Sequence, residues 1–141
     1  MITAGRLEFL DFTEWNLEQV QAKIDTGAYG NAIHCHHVEM IEGPAIRFQL
    51  LDPTHPEYEA KYYESSDFRV KTVKSSSGIA ETRFSIKTSI RFFGKKFRTE
   101  FSLANREEMK YPVLLGRKFL KKRFLVDVSK KNLSVLQNNE L

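Results

Sequence analysis

The stretch Lys23-Ile24-Asp25-Thr26-Gly27-Ala28 decides the fold of this 141-residue chain. It continues Val20-Gln21-Ala22, in which apolar and polar residues alternate as they do along a half-buried β-strand. Asp25 therefore stands at the end of a predicted strand, where a carboxylate on a rigid support can activate a water molecule. Thr26 offers a hydroxyl group that can hydrogen-bond across a site, and Gly27 allows a sharp turn of the backbone.

A second stretch, Pro112-Val113-Leu114-Leu115-Gly116-Arg117, lies far downstream. It is an apolar strand pattern that ends in a glycine and a cation. Asp-Thr-Gly alone is also good turn chemistry, so an ordinary strand-to-turn transition is the alternative interpretation of the first stretch. The two stretches together resemble the arrangement in aspartic proteases of the retroviral type, which implies that Asp25 is the catalytic residue and that Thr26, Gly27 and Ala28 support it.

Alternating segments recur along the chain. The resulting strand predictions cover residues 6–12, 17–24, 32–40, 45–50, 68–73, 82–87, 88–93, 96–103, 112–115, 124–128 and 133–136. The pattern breaks at 52–66, which predicts a polar loop or insertion. Only 117–122 reads as a helix. Many short strands with one helix predict an all-β fold, a closed barrel in a single domain over residues 1–141.

The composition and the charge distribution restrict the classes of function that suit this chain. Hydrophobic residues make up 41% of the chain, which is enough for a packed core. Residues 1–82 carry a net charge of −6 and residues 83–141 a net charge of +10. The basic half suits nucleic acid or an acidic substrate, whereas the alternative is attraction between the two halves within a domain or across a dimer. The cations are scattered along strands without a nucleic-acid-binding motif, so nucleic acid is an unlikely partner.

The expected compartment is the cytoplasm. No apolar run approaches the roughly 18 residues of a membrane helix, and Met1–Gly5 lacks the pattern of a secretory signal. Cys35 is the only cysteine, which excludes an intramolecular disulfide. The sequence thus predicts a protein of a reducing compartment with no membrane partner.

The run His34-Cys35-His36-His37 is the one candidate metal site, because zinc uses these side chains. Neighbours on a strand point to opposite faces, so consecutive residues make a poor four-ligand cluster. His34 and His36 are instead expected on a polar face, with Cys35 as a small core residue. The chain also lacks a phosphate-binding glycine loop and a His-Glu-x-x-His motif. The prediction is therefore no metal and no cofactor.

Several linked motifs resemble a known family. They are Lys23 to Ala28, Val70-Lys71, Ser76-Ser77-Gly78, Glu81-Thr82-Arg83, Leu103 to Arg106, Met109 to Pro112 and Val113 to Arg117. Over residues 6–136 the chain resembles bacterial retropepsin-like aspartic endopeptidases, some of which carry the label ATP-dependent zinc protease. The resemblance implies a retropepsin-like barrel that supplies half of an active site. It also implies a flap at Ser75, Ser76, Ser77 and Gly78, and a structural motif at Leu114, Leu115, Gly116 and Arg117.

A retropepsin mechanism needs two carboxylates, and this chain has one Asp-Thr-Gly. The two carboxyl groups share a proton, because two groups so near each other do not both ionise easily. A symmetric homodimer would supply the second Asp25 at the two-fold axis. The sequence predicts a homodimeric aspartic peptidase for peptide or protein substrates. The alternative is a non-catalytic peptide- or protein-binding module on the same barrel.

One departure from the retroviral pattern concerns Arg117. In retroviral enzymes the corresponding arginine often contacts an acidic residue just after Asp-Thr-Gly-Ala. Here Tyr29, Gly30 and Asn31 occupy those positions. Arg117 is therefore expected to have a different partner.

Overall fold

The computed structural model describes residues 1–51, 53, 55–56, 58–74, 78–104 and 110–135, with side chains for all of these except 73 and 74. Within them lie eleven strands, the short helix α1 and two further helical residues, 134 and 135. Their bounds are β1 Ile2–Ala4, β2 Leu7–Phe12, β3 Leu17–Ile24, β4 Asn31–Ile41, β5 Ala45–Leu50, β6 Tyr63–Ser65, β7 Arg69–Lys74, β8 Ala80–Phe92, β9 Lys95–Ala104, β10 Val113–Leu115, α1 Arg117–Leu120 and β11 Phe124–Val126.

The main sheet closes on itself. Its strands follow the order β10-β3-β2-β8-β9-β4, and β10 also pairs with β4, which completes a six-stranded barrel. Strand β10 runs parallel to β3 and antiparallel to β4. Strands β5 and β6 extend the sheet beyond β4, and β7 pairs with the first half of β8. Closure pairs the strand edges that an open sheet would leave exposed.

Alternation along the strands builds the core. In β2, residues 8, 10 and 12 are buried and the residues between them are half-buried. The apolar side chains that fill the barrel are fully or almost fully buried, among them Leu10, Val20, Ile33, Ile86, Ile90, Phe101, Val113 and Leu115. The predicted all-β closed barrel with one short helix near Arg117 is confirmed.

An aromatic cluster packs α1 and the C-terminal segment against the turn between β8 and β9. The Phe92 and Phe124 rings lie 5.1 Å apart, and the Phe97 and Phe119 rings 5.2 Å apart. Strand β11 ends at Val126 and forms a separate two-stranded parallel sheet with β1, so the strand predicted at 124–128 is shorter than expected and lies outside the main sheet. The N-terminal strand β1 was too short to give an alternating pattern.

The predicted division of 82–93 into two strands is wrong, and so is the strand predicted for the described residues of 133–136. The segments 82–87 and 88–93 belong to one long strand, β8, which pairs with β7 at one end and with β2 at the other. Among the described residues of 133–136, residues 134 and 135 are helical. Ser134 is buried there, and its N–H donates to the buried Glu8 carboxylate at 2.8 Å. A short strand, β6, also lies inside the predicted polar loop 52–66.

None of the helices in the described part of the chain has the length and apolarity needed to cross a membrane.

Candidate active site

Asp25 lies in a short loop directly after β3. Its N–H donates to the carbonyl oxygen of Leu115 at 2.9 Å, which extends the parallel pairing of β3 with β10 by one residue. Its Oδ1 accepts a hydrogen bond from the N–H of Gly27 at 3.0 Å. The carboxylate is partly accessible to solvent, and Thr26 and Gly27 are exposed. The carboxylate is therefore fixed in orientation and still accessible to water.

Gly27 serves the loop through its small size. Its φ lies outside the left-handed region, so no turn of that kind requires it. A Cβ there would lie 3.3 Å from Asp25 Oδ1, close to the hydrogen bond that Gly27 donates. Ala28 then closes the loop, since its N–H donates to the carbonyl oxygen of Asp25 at 3.2 Å. The predicted site run thus forms one compact turn around the carboxylate.

The β10–α1 junction lies against the other side of this loop. A Cβ on Gly116 would lie within 2.7 Å of the carbonyl oxygen of Tyr29 and would overlap the carbonyl of Gly30. The N–H groups of Arg117 and Lys118 donate to the carbonyl oxygens of Ala28 and Tyr29, both at 2.9 Å. A glycine is needed at this position because two backbone segments meet there.

Arg117 has a partner other than an acidic side chain, as the sequence predicts. Its Nη1 donates to the carbonyl oxygen of Thr26 at 3.1 Å, and its guanidinium lies 6.0 Å from the centre of the Tyr29 ring. The cation therefore holds the Asp25 loop through a backbone oxygen and an aromatic face, where retroviral enzymes use a carboxylate.

Asn31 is a residue of the site that the sequence did not single out. It is 7% exposed, and its Oδ1 accepts from the N–H of Gly116 at 3.0 Å. Its Nδ2 donates to Thr99 Oγ1 at 3.2 Å and to the carbonyl oxygen of Glu100 at 3.1 Å. This one amide connects the end of the Asp25 loop, the β10–α1 junction and β9. Its position two residues after Tyr29, in place of an acid, was the only sequence signal.

A basic pocket of about 700 Å³ begins at the end of this loop. One wall, the loop wall, consists of Tyr29, Gly30 and Asn31 together with Lys118 and Phe119 of α1. The other wall, the sheet wall, is the outward face of β7, β8 and β9.

Seven of the lining side chains are cationic: Arg69, Lys71, Arg83, Lys87, Arg98, Lys118 and Arg123. Glu100 is the one lining carboxylate among the described residues. Asp25 itself does not line the pocket.

Seven of the 22 lysines and arginines of the chain thus line this pocket, five from the basic half and two, Arg69 and Lys71, from the acidic half. Alternation on β8 sends Arg83, Ser85 and Lys87 to the outer face, while Ile86 and Thr88 are buried. Within the described residues, no carboxylate lies in ion-pairing distance of Lys71, Lys87 or Lys118. The cations are scattered along the sequence as predicted, and strand pairing brings five of them, on β7, β8 and β9, onto one surface.

The predicted flap is only partly described. Residues 75–77, which include Ser75, Ser76 and Ser77, lie outside the described residues. Gly78 is described and has a φ of +82°, a conformation that favours glycine. The paired strands β7 and β8 on either side of this segment contribute Arg69, Lys71 and Arg83 to the sheet wall of the pocket.

The four histidines of the chain lie close to one another and take no part in the hydrogen bonds of the Asp25 loop described above. A β-bulge after His36, with a φ of +55° at His37, breaks the alternation expected along β4. His34 is fully buried, not on a polar face as predicted, and its ring lies 5.8 Å from that of His55. Cys35 is buried as predicted, and burial raises the pKa of its thiol. A neutral thiol is a poor metal ligand.

Among the described residues, no three histidine, cysteine, aspartate or glutamate side chains have an arrangement that could hold a metal ion.

Comparison with known proteins identifies the family. A family model described as retropepsin-like aspartic endopeptidase RimB matches residues 3–137. The chain belongs to the RimB-like family. A solved structure from Legionella pneumophila, a protein of unknown function named Lpg0085 (DUF785), is similar with a TM-score of 0.73 and 26% identity over 94% of this chain and 98% of that one.

Curated relatives have a different name. A probable alpha-L-glutamate ligase of Shewanella pealeana is 31% identical over 132 residues, and one of Desulfotalea psychrophila is 26% identical over 126 residues. These matches cover 89% and 87% of this chain but only 28% and 27% of the relatives. The chain thus spans little more than a quarter of the length of these ligases.

Proposed function

We propose that this RimB-like chain is one half of a homodimeric aspartic peptidase with Asp25 as its catalytic residue. The observation that carries the proposal is the loop of Asp25, whose carboxylate is oriented by the Gly27 N–H and remains open to solvent. The family match supports the same chemistry, since it names an aspartic endopeptidase.

The mechanism uses two copies of Asp25. In the dimer, one carboxylate accepts a proton from a bound water, which attacks the carbonyl carbon of the peptide bond. The other, protonated, carboxyl group donates its proton to the carbonyl oxygen, so a neutral tetrahedral intermediate forms. The protonated carboxyl group then gives its proton to the amide nitrogen as the C–N bond breaks. The other carboxylate takes a proton from a hydroxyl group of the intermediate, which leaves the product carboxylic acid and restores the dyad. Thr26 is exposed in the single chain, so its hydroxyl is available to brace the proposed dimer across the axis.

The test is the substitution Asp25→Asn, which removes the base and nearly preserves shape. Cleavage of a mixed peptide library between about pH 4 and pH 7 should fall by several orders of magnitude, because acid and base steps each contribute about 10²–10⁴-fold. Asp11→Asn is the matched control, since the Asp11 carboxylate also accepts a backbone N–H, that of Gln19 at 2.9 Å. It should leave cleavage unchanged.

The outcomes separate the two classes of function. Equal cleavage by the wild type and Asp25→Asn would exclude Asp25 as the catalytic residue. Peptide binding by both without cleavage would favour the binding module. Sedimentation at micromolar concentration tests the dimer, and a fully active monomer would refute the two-chain mechanism.

For the substrate we propose an acidic peptide. The basic pocket supports this, because it adjoins the two residues that follow the Asp25 loop and carries seven cations. The name of the longer relatives, alpha-L-glutamate ligase, refers to an amino acid with the matching charge. Glutamate-rich peptides should be cleaved with a higher kcat/KM than glutamine-rich peptides of the same length. Added salt should reduce that difference, since it screens exposed charges, and equal rates for both peptides would contradict the preference.

A further inference from the structure

Glu100 differs from every other side chain that lines the basic pocket. It is the one carboxylate among the described lining residues, and its side chain is only 27% exposed. One of its oxygens, Oε2, lies 3.5 Å from Nε of Arg69 and accepts a hydrogen bond from Ser85 Oγ at 3.3 Å. The carboxylate therefore sits among groups that would otherwise be available to a bound anion.

The backbone around Glu100 is fixed on both sides. In β9 it stands opposite Lys87 of β8, and its carbonyl oxygen accepts a hydrogen bond from the Asn31 amide. Paired strands and a buried amide hold its Cα in place, so its negative charge stays in the pocket.

Two other carboxylates pair with pocket cations from outside the pocket. Glu81 lies 3.6 Å from Arg83, and Glu14 lies 2.7 Å from Arg98. Neither carboxylate lines the pocket, and their side chains are 60% and 45% exposed. Water screens such exposed pairs and leaves them weak. Of the three acids, only Glu100 places its charge where an incoming carboxylate would bind.

We propose that Glu100 is a specificity-determining residue, an internal counter-ion that occupies Arg69 and Ser85 and limits the affinity of the pocket for acidic peptides. This inference rests on the proposed preference for acidic substrates. In the free protein Glu100 offsets the mutual repulsion of Arg69 and its neighbouring cations. When an acidic peptide enters, the fixed carboxylate repels it and competes for the same donors.

The test is Glu100→Gln, in which the amide keeps the length of the side chain and an oxygen that can accept from Ser85. Binding of a fluorescein-labelled hexapeptide of α-linked L-glutamate is measured by anisotropy on the full chain carrying Asp25→Asn, so that the probe is not cleaved. Loss of a like charge beside the bound peptide should tighten binding about five- to tenfold at low salt. The control Glu81→Gln removes the same charge outside the pocket and should change binding less than about twofold.

A second readout distinguishes specificity from a structural effect. In chains with Asp25 intact, Glu100→Gln should lower KM for glutamate peptides, leave kcat unchanged and leave KM for matched glutamine peptides unchanged. Equal tightening by Glu100→Gln and Glu81→Gln would overturn the proposal, as would weaker or unchanged binding, or no binding of the glutamate probe to any variant.

Failure of the proposed function would look different. If the wild type cleaves no peptide but Glu100→Gln still tightens binding of the glutamate probe, the peptidase proposal fails and the role of Glu100 stands. If the wild type prefers and cleaves glutamate peptides but Glu100→Gln does not tighten binding, the role of Glu100 fails alone.

Discussion

The two walls of the basic pocket are built by opposite means. The loop wall is held by neutral hydrogen bonds, many of them between backbone atoms, and by the close approach of Gly116 to the carbonyls of Tyr29 and Gly30. The sheet wall presents exposed, charged side chains on strands that are already paired. The hydrogen-bonding groups of the loop wall need particular partners at particular distances. The loop wall therefore depends on how closely its atoms pack together. The sheet wall depends on summed charge, which many arrangements of lysine and arginine provide.

The largest effect should come from Gly116→Ala in the loop wall. The new Cβ would overlap backbone carbonyls, which unlike a flexible side chain cannot move aside. We expect a loss of about 3 kcal/mol or more in the free energy of unfolding, at the upper end of overpacking costs. Chemical denaturation of both proteins measures it.

Gly30→Ala is the matched control for that substitution. A Cβ on Gly30 meets nothing within 4 Å, and its φ lies outside the left-handed region. Its stability should change by less than about 0.5 kcal/mol. Similar losses for the two variants would show that the loop wall does not depend on the close approach at Gly116.

A smaller effect is expected for Asn31→Ala. The substitution removes three hydrogen bonds and leaves the N–H of Gly116 without its partner in a buried site. A buried unsatisfied group costs about 1–3 kcal/mol, so stability should fall by about 2–3 kcal/mol. Asn31→Asp keeps the acceptor for Gly116 but loses both donors and places a charge near a carbonyl oxygen. Thermal unfolding that is unchanged in both variants would contradict the connecting role of this amide.

The same contrast explains what the sequence could predict. The Asp25 loop and β10 could be predicted from the sequence, because their close packing requires particular residues in a particular order. The basic pocket could not be predicted from the sequence. Its cations come from three strands, from α1 and from Arg123, and only the pairing of the strands brings them together. The burial of His34 was also missed, because residues 31–35 at the start of β4 are all buried, so both faces of the strand are covered there and the alternation on which the prediction relied is absent.

The ends of the chain were hard to predict for a related reason. Strand β11 pairs with β1 in a small parallel sheet, a contact between distant segments that no local pattern indicates. Residues 134 and 135 are helical where alternation predicted a strand. There the buried Glu8 accepts from the Ser134 N–H, so a tertiary hydrogen bond decided the local structure.

The smallest effect on stability should come from the sheet wall, and it should appear in substrate affinity instead. Lys87 is exposed, lines the pocket and stands opposite Glu100. Lys87→Ala should change the free energy of unfolding by less than about 0.5 kcal/mol. It should raise KM for glutamate peptides severalfold at low salt and much less at high salt, because salt screens exposed charges. Lys95→Ala, a substitution of an exposed lysine of β9 outside the pocket, should leave KM unchanged. If both variants raise KM equally, the whole basic half attracts the substrate, and the pocket has no special part in it.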